Sequence, residues 1–187
     1  MQPITEAMDL FRHQRAVRAW ADRDVSDEVL RQILQAAIHA PSGSNTQPWR
    51  FIVVRDPVMK ARISEEYEAA QGDRGGAAAG GGIMAQAPVL IIPCVRVPER
   101  TGRTGFQTGA SIYPACQNLM LAARALGLGS VLTTTHRIRA EQVHALLGIP
   151  PTYDSAAIIP LGWPDHAYGP NRRPPLEEFV SYDGWSA

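Results

Sequence analysis

The chain has 187 residues, 45% of them hydrophobic and 19% charged, which suits one globular domain and excludes a disordered or fibrous one. Its 18 Lys and Arg balance 18 Asp and Glu, so net charge offers no footprint for nucleic acid or an anionic membrane, and any anion site must be local. No apolar run approaches the roughly 18–20 residues that a membrane span needs, and residues 1–13 lack the cationic-then-apolar order of a secretion signal, so the expected location is cytoplasmic.

Residues 3–19 read as a first helix, with Ile4, Ala7, Met8, Leu10 and Phe11 near helical spacing. Ser26 caps a second helix over 27–39, where Val29, Leu30, Ile33, Leu34, Ala37 and Ile38 form one apolar face and Pro41 follows the stop. A polar loop, 42–49, then enters a strand over 50–55, whose Phe51, Ile52, Val53 and Val54 suit a buried position. A polar helix over 57–69 leads into a Gly- and Ala-rich stretch, 71–82, expected to be a surface loop or lid.

A second strand spans 89–95, and a long helix over 108–126 is apolar on most faces and so expected at the centre. After Gly127 and Gly129 come a strand at 130–135, a helix at 139–147 and a strand at 156–161. The pattern is α+β, helices around about four strands, in a single domain over 1–187. Cys94 and Cys116 lie far apart and in no ligand spacing, and read as buried, inert thiols; the five histidines show no metal spacing either.

The tail, 162–187, combines Pro164, Pro170, Pro174 and Pro175 with Trp163, Tyr168, Phe179, Tyr182 and Trp185. It cannot build a core of its own. Rings on a proline-stiffened arm are costly to leave in water, so the tail is expected to wrap over a second copy of the chain.

Three segments could carry chemistry. Arg15-Ala16-Val17-Arg18 sets two arginines three apart, which on a helix end places them on one side, either as an anion grip or as a solvated pair. The loop from Pro41 to Trp49 packs Ser42, Gly43, Ser44, Asn45 and Gln47 between prolines; its amides donate and accept together, as a flavin pyrimidine edge requires, though an ordinary cap and turn would use the same residues. Arg172 and Arg173 form a second cationic pair on a proline-fixed backbone, suited to phosphate or simply to water.

In order and spacing these segments resemble the nitroreductase-like FMN-dependent oxidoreductase family. The resemblance covers nearly the whole chain: the N-terminal arginine segment, the Pro-Ser-x-x-Asn-x-Gln-Pro-Trp block, the Ala-x-Gln-Asn-Leu-x-Leu-Ala-Ala motif at 115–123 with Gly-Leu-Gly at 127–129, and the closing Arg-Arg-Pro-Pro-Leu-Glu-Glu. It implies a nitroreductase-like α+β fold, a central, mostly antiparallel sheet of about four to five strands flanked by helices, with the C-terminal arm exchanged in a homodimer and noncovalent FMN at the interface. Arg15, with Ala16 beside it, is implied to lie near the phosphate and ribityl chain, Arg18 beside the flavin N1 and O2 edge, and Ser42, Gly43, Ser44, Asn45 and Gln47 against the flavin, several of them from the partner subunit. Thr133 and Thr134 match the strand whose backbone lies against the ring, and Arg172 or Arg173 matches the phosphate clamp.

The implied activity is a ping-pong cycle in which NAD(P)H reduces the flavin and a nitroaromatic, quinone or similar small oxidised substrate reoxidises it, with no protein nucleophile. A dedicated flavin dehydrogenase or reductase of one metabolite, and a flavin-binding subunit without turnover, are the alternatives. Gln14 and Ala16 depart from the Arg and Ser common in the family, and Thr133-Thr134-Thr135 from its Gly- or Glu-containing step.

Overall fold

In the computed structural model the central strand is β2, Val89–Arg96, buried along all but its last residue. Its side chains alternate between two cores, as a strand's period of two dictates. Val89, Ile91 and Val95 face one core with Leu30, Ile33, Ile112 and Leu119; Leu90, Ile92 and Cys94 face the other with Ile63, Met84, Ile149 and Ile158. Each such apolar side chain taken from water contributes about 1.5–3 kcal/mol, so β2 is the strand on which both layers depend. The structure describes residues 1–4, 6–73, 82–97 and 105–185, the side chains of 105–107 excepted.

The elements in chain order are α1 (Ala7–His13), α2 (Asp27–Ile38), β1 (Trp49–Val54), α3 (Pro57–Asp73), α4 (Ile83–Gln86), β2, α5 (Gly105–Ala125), β3 (Gly129–Ser130), α6 (Ala140–Leu147), β4 (Tyr153–Ser155) and β5 (Ile159–Gly162). They form a five-stranded sheet in the order β1-β2-β5-β3, with β4 also pairing β2, and every pair is antiparallel. This is the α+β architecture the sequence implies.

Several boundaries differ from expectation, each for a local reason. The strand expected over 156–161 begins only at Ile159, as β5, and a further short strand, β4, precedes it, since β2 pairs β5 through residues 89–91 and β4 through 94–96. Pro93, which has no N–H to donate, falls at the change of partner, where a central strand tolerates it. The strand expected over 130–135 shortens to β3 plus one bridge from Thr133 to Ile158, and a 3-10 turn, Thr135–Arg139, precedes α6. α3 runs on to Asp73, so residues 71–73 of the expected loop are helical; residues 74–81 lie outside the described part.

The largest correction is α1. A helix over 3–19 is not formed: α1 stops at His13, and residues 14–20 run extended, with Ala16 bridging Ser130 in parallel and the Val17 N–H bonding the Ser130 carbonyl at 3.0 Å. Val17 is buried against Gly129, where a Cβ would sit 2.6 Å from Val17 Cβ, so only glycine admits this approach. Tertiary pairing with the sheet outweighs helical propensity here, and the spacing of Arg15 and Arg18 no longer sets them on one helical side.

Candidate functional site

The end of α1 and the extended segment after it, residues 11–21, are laced antiparallel to 163–171. The Asn171 N–H donates to the Arg12 carbonyl at 2.7 Å and its side-chain amide to the Phe11 carbonyl at 3.0 Å. These carbonyls belong to the last turn of α1 and have no partner within the helix, so Asn171 caps it. Arg15 Nη1 reaches the Gly169 and Pro170 carbonyls at 3.4 and 3.5 Å, the Asp165 N–H meets the Ala19 carbonyl at 3.4 Å, and the Ala21 N–H meets the Trp163 carbonyl at 2.8 Å.

The lacing brings two of the three anticipated segments together. Arg15, Asn171, Arg172 and Arg173 line one cavity of about 420 Å³. Its walls hold three guanidinium groups and an amide, and none of Arg15, Arg172 or Arg173 has a carboxylate within ion-pair distance among the described residues. Guanidinium forks match phosphate oxygens bidentately, so an uncompensated cluster of this kind suits a phosphomonoester dianion. Arg18 is exposed on the same segment, outside the cavity lining. Gln14, by contrast, turns inward, its amide donating to Met120 Sδ at 3.7 Å.

The loop before β1 is built quite differently. Ser44, Asn45 and Gln47 all take left-handed backbone conformations, with φ of 50°, 54° and 47°. Side chains raise the cost of that region by roughly 1–2 kcal/mol per residue, so the loop is held by its own bonds. Ser42 Oγ accepts the Gln47 N–H at 3.0 Å, the Thr46 hydroxyl donates to the Gly43 carbonyl at 2.9 Å, and the Gln47 amide donates to the Asn45 carbonyl at 3.2 Å. The Gly43 N–H is taken by Ser111 Oγ on α5 at 3.1 Å. Ser44, Asn45 and Gln47 are left exposed on a preshaped polar surface. Among the described residues no hydrogen bond or ion pair joins this loop to the arginine cavity of the same chain.

Thr133 is half-buried: its N–H and carbonyl both pair with Ile158, and its hydroxyl meets Tyr67 Oη at 2.9 Å. Thr134 is exposed, and its carbonyl accepts the Arg137 N–H at 3.0 Å. The cysteines are as expected, buried, with burial pushing both thiols up to about 12.

One polar cluster has no counterpart in the sequence reading. Ser155 Oγ sits between His136 Nε2 at 3.0 Å and His144 Nε2 at 2.9 Å, and Arg137 pairs with Asp154 at 2.8 Å. Asp154 Oδ1 lies 3.6 Å from the same nitrogen of His144 that meets Ser155, and Ser155 is fully buried. A nucleophilic triad requires the acid on the base's other nitrogen and an accessible hydroxyl, so this cluster is structural. The five residues share no spacing that a sequence could reveal.

A family model described as the nitroreductase family matches residues 11–163. An NADH dehydrogenase of Thermus thermophilus is 30% identical over 211 residues, covering 95% of this chain and 96% of its own. A crystal structure from Desulfovibrio desulfuricans, in complex with FMN, is 30% identical, has a TM-score of 0.77 and covers 97% of this chain and 100% of its own. Iodotyrosine deiodinase 1 of Mus musculus is 30% identical over 178 residues, 85% of this chain and 62% of its own.

Proposed function

The chain belongs to the nitroreductase family, and from that membership we propose that it is a homodimeric, FMN-dependent cytoplasmic oxidoreductase that takes electrons from NAD(P)H and delivers them to a nitroaromatic, quinone or similar small oxidised substrate. The observation that carries this reading is the cavity in which Arg15 meets Arg172 and Arg173 without a carboxylate. That donor set fits a flavin phosphate in charge and in fork geometry.

FMN, when bound, supplies the redox chemistry. The chain's own groups bind and orient. Arg15, Arg172 and Arg173 hold the phosphate, and Arg18 stands at the pyrimidine edge, where a fixed cation stabilises the negative charge of the reduced ring. Ser42, Gly43, Ser44, Asn45 and Gln47 of the second copy complete the site, which accounts for the separation of loop and cavity within one chain. Since both backbone groups of Thr133 are engaged by Ile158, Thr134 is the residue of that run which faces the ring. Donor and acceptor use one site in turn, and no acid, base or nucleophile of the protein is required.

Residues 163–171 of the expected arm are laced to their own chain, so the part that supplies the dimer contact is 174–185. Phe179, Tyr182 and Trp185 are 66, 86 and 95% exposed, so its rings find no cover in their own chain. Between α2 and β1 lies a groove of about 510 Å³ floored by Leu30, Leu34, Ile38, Trp49 and Phe51 and rimmed by Arg31 and Arg50. The arm of the second copy lies there, its rings on the apolar floor and Glu177 and Glu178 toward the arginines.

An anaerobic visible spectrum of the purified protein tests the reading. The flavin band bleaches on adding NADH or NADPH and returns with a nitroaromatic or quinone; a band that persists, or none at all, overturns it. A second reading, a reductase dedicated to one metabolite, is favoured by the likeness to iodotyrosine deiodinase. It is selected if kcat/KM for a halogenated phenol exceeds that for every nitroaromatic tried.

A further inference from the structure

The run Thr133-Thr134-Thr135, which stands in place of the family's Gly- or Glu-containing step, is braced from another layer of the fold. The brace is Tyr67 on α3, 8% exposed, whose Oη lies 2.9 Å from Thr133 Oγ1. Thr133 Oγ1 also accepts the Thr135 N–H at 3.5 Å and donates to Thr135 Oγ1 at 3.5 Å. A hydroxyl has one proton and two lone pairs, so with its proton on Thr135 the Thr133 oxygen accepts from Tyr67, and the buried phenol is the donor. Glu66, beside Tyr67 in α3, takes Arg139 Nε at 2.7 Å, so one helix grips both ends of the segment 133–139.

Thr134 is the residue this arrangement closes over. A hydroxyl that takes the N–H two residues further on makes a side-chain turn around the residue between. Thr134 has φ −118° and ψ 6°, values of neither helix nor strand, so no regular ladder maintains them and the bonds on either side do. Its carbonyl accepts the Arg137 N–H at 3.0 Å, while the residue itself is exposed and its own N–H meets no acceptor among the described residues. A backbone donor held in place stabilises negative charge that develops on a group set before it.

We propose that Tyr67 is a positioning residue for the flavin: through Thr133 it fixes the Thr134 peptide, whose N–H supports the charge of the reduced ring. The inference rests on the flavin reading above, which sets Thr134 at the ring. Tyr67 touches no part of the cofactor and acts only through the hydroxyl of Thr133.

The test measures the midpoint potential of the bound flavin, by reductive titration against a reference dye, and the melting of each apoprotein. Tyr67→Phe weakens binding of reduced FMN relative to oxidised FMN at least about threefold, a fall of about 15 mV on a two-electron couple. Thr133→Val lowers the potential at least as far, adding Tyr67→Phe to it lowers it no further, and Thr133→Ser, which keeps the hydroxyl, stays at wild type. Loss of the bond also lowers apoprotein melting by about 2–4 °C. A bond that serves stability alone gives that melting change with a wild-type potential in Tyr67→Phe, and this result overturns the proposal. So does a double variant in which the two falls add, or a Thr133→Ser potential as low as that of Thr133→Val; the valine and serine variants decide the matter by themselves if Tyr67→Phe does not fold. Wild-type protein that takes up no FMN overturns the flavin reading itself, and the role of Tyr67 with it.

Discussion

The backbone N–H of Asn171 donates to the carbonyl of Arg12 at 2.7 Å, which ties the root of the C-terminal arm to the last turn of α1. The Asn171 side chain adds a second bond, to Phe11, and leads the chain straight into Arg172 and Arg173. Asn171→Ala keeps the backbone bond and loses the other. Because that bond is exposed, its loss costs about 0.5–1.5 kcal/mol, and FMN affinity falls roughly three- to tenfold in a fluorescence titration.

Arg18→Ala removes the cation assigned to the pyrimidine edge. The midpoint potential of the bound flavin falls by about 30 mV or more, because 30 mV on a two-electron couple corresponds to about 1.4 kcal/mol, the scale of one charge-assisted bond. An unchanged potential in a spectroelectrochemical titration removes Arg18 from that edge.

Truncation after Gly162 deletes the arm together with Tyr168, Asn171, Arg172 and Arg173. The product elutes from size exclusion as a colourless monomer. A truncated chain that remains a yellow dimer refutes both the arm and the phosphate assignment.

Gly129→Ala places a methyl 2.6 Å from Val17 Cβ, a contact no rotamer can relieve. The variant loses about 1–3 kcal/mol in denaturant unfolding, the range for overpacking a filled core. Since Val17 sits between Arg15 and Arg18, FMN affinity falls as well. Wild-type stability in this variant shows that residues 14–20 are not held against β3.

His136 is buried, and burial lowers its pKa to about 4 from an ordinary 6.5. The unfolded chain takes up the proton below about pH 6.5 and the folded chain only below about pH 4, so in that window the unfolded state binds more protons. Stability is therefore full at neutral pH and declines as pH falls through 6.5 toward 4. Urea titrations of the apoprotein show a loss of about 2 kcal/mol between pH 7 and pH 5 from this group. His136→Gln flattens that slope; an identical slope in the variant refutes the assignment.

The fold was legible where one physical signal dominated. The period of α2, capped by Ser26 through the Val29 N–H, and the β-branched run of β1 depend on local pattern alone. What stayed hidden depended on contacts far along the chain. Nothing local ends a helix at His13; the partners that hold residues 14–20 extended are Ser130, Pro164 and Asp165. The same applies to the site: Arg15, Arg172 and Arg173 were each visible as cations, but their convergence, and the place of Asn171 beside them, follow from that lacing. The Pro41–Trp49 block was identified by resemblance, while its left-handed backbone is visible only in three dimensions.

The arginine cavity has walls from nearly opposite ends of the chain. During synthesis, Arg15 leaves the ribosome first, and Arg172 emerges only after Ile158, Ile159 and Leu161, the last core residues in the chain. The phosphate site is thus completed last, after the sheet and helices that support it. On the flavin reading, the sheet and helices precede a working phosphate site, and FMN uptake reports the docking of residues 163–173 rather than the start of folding.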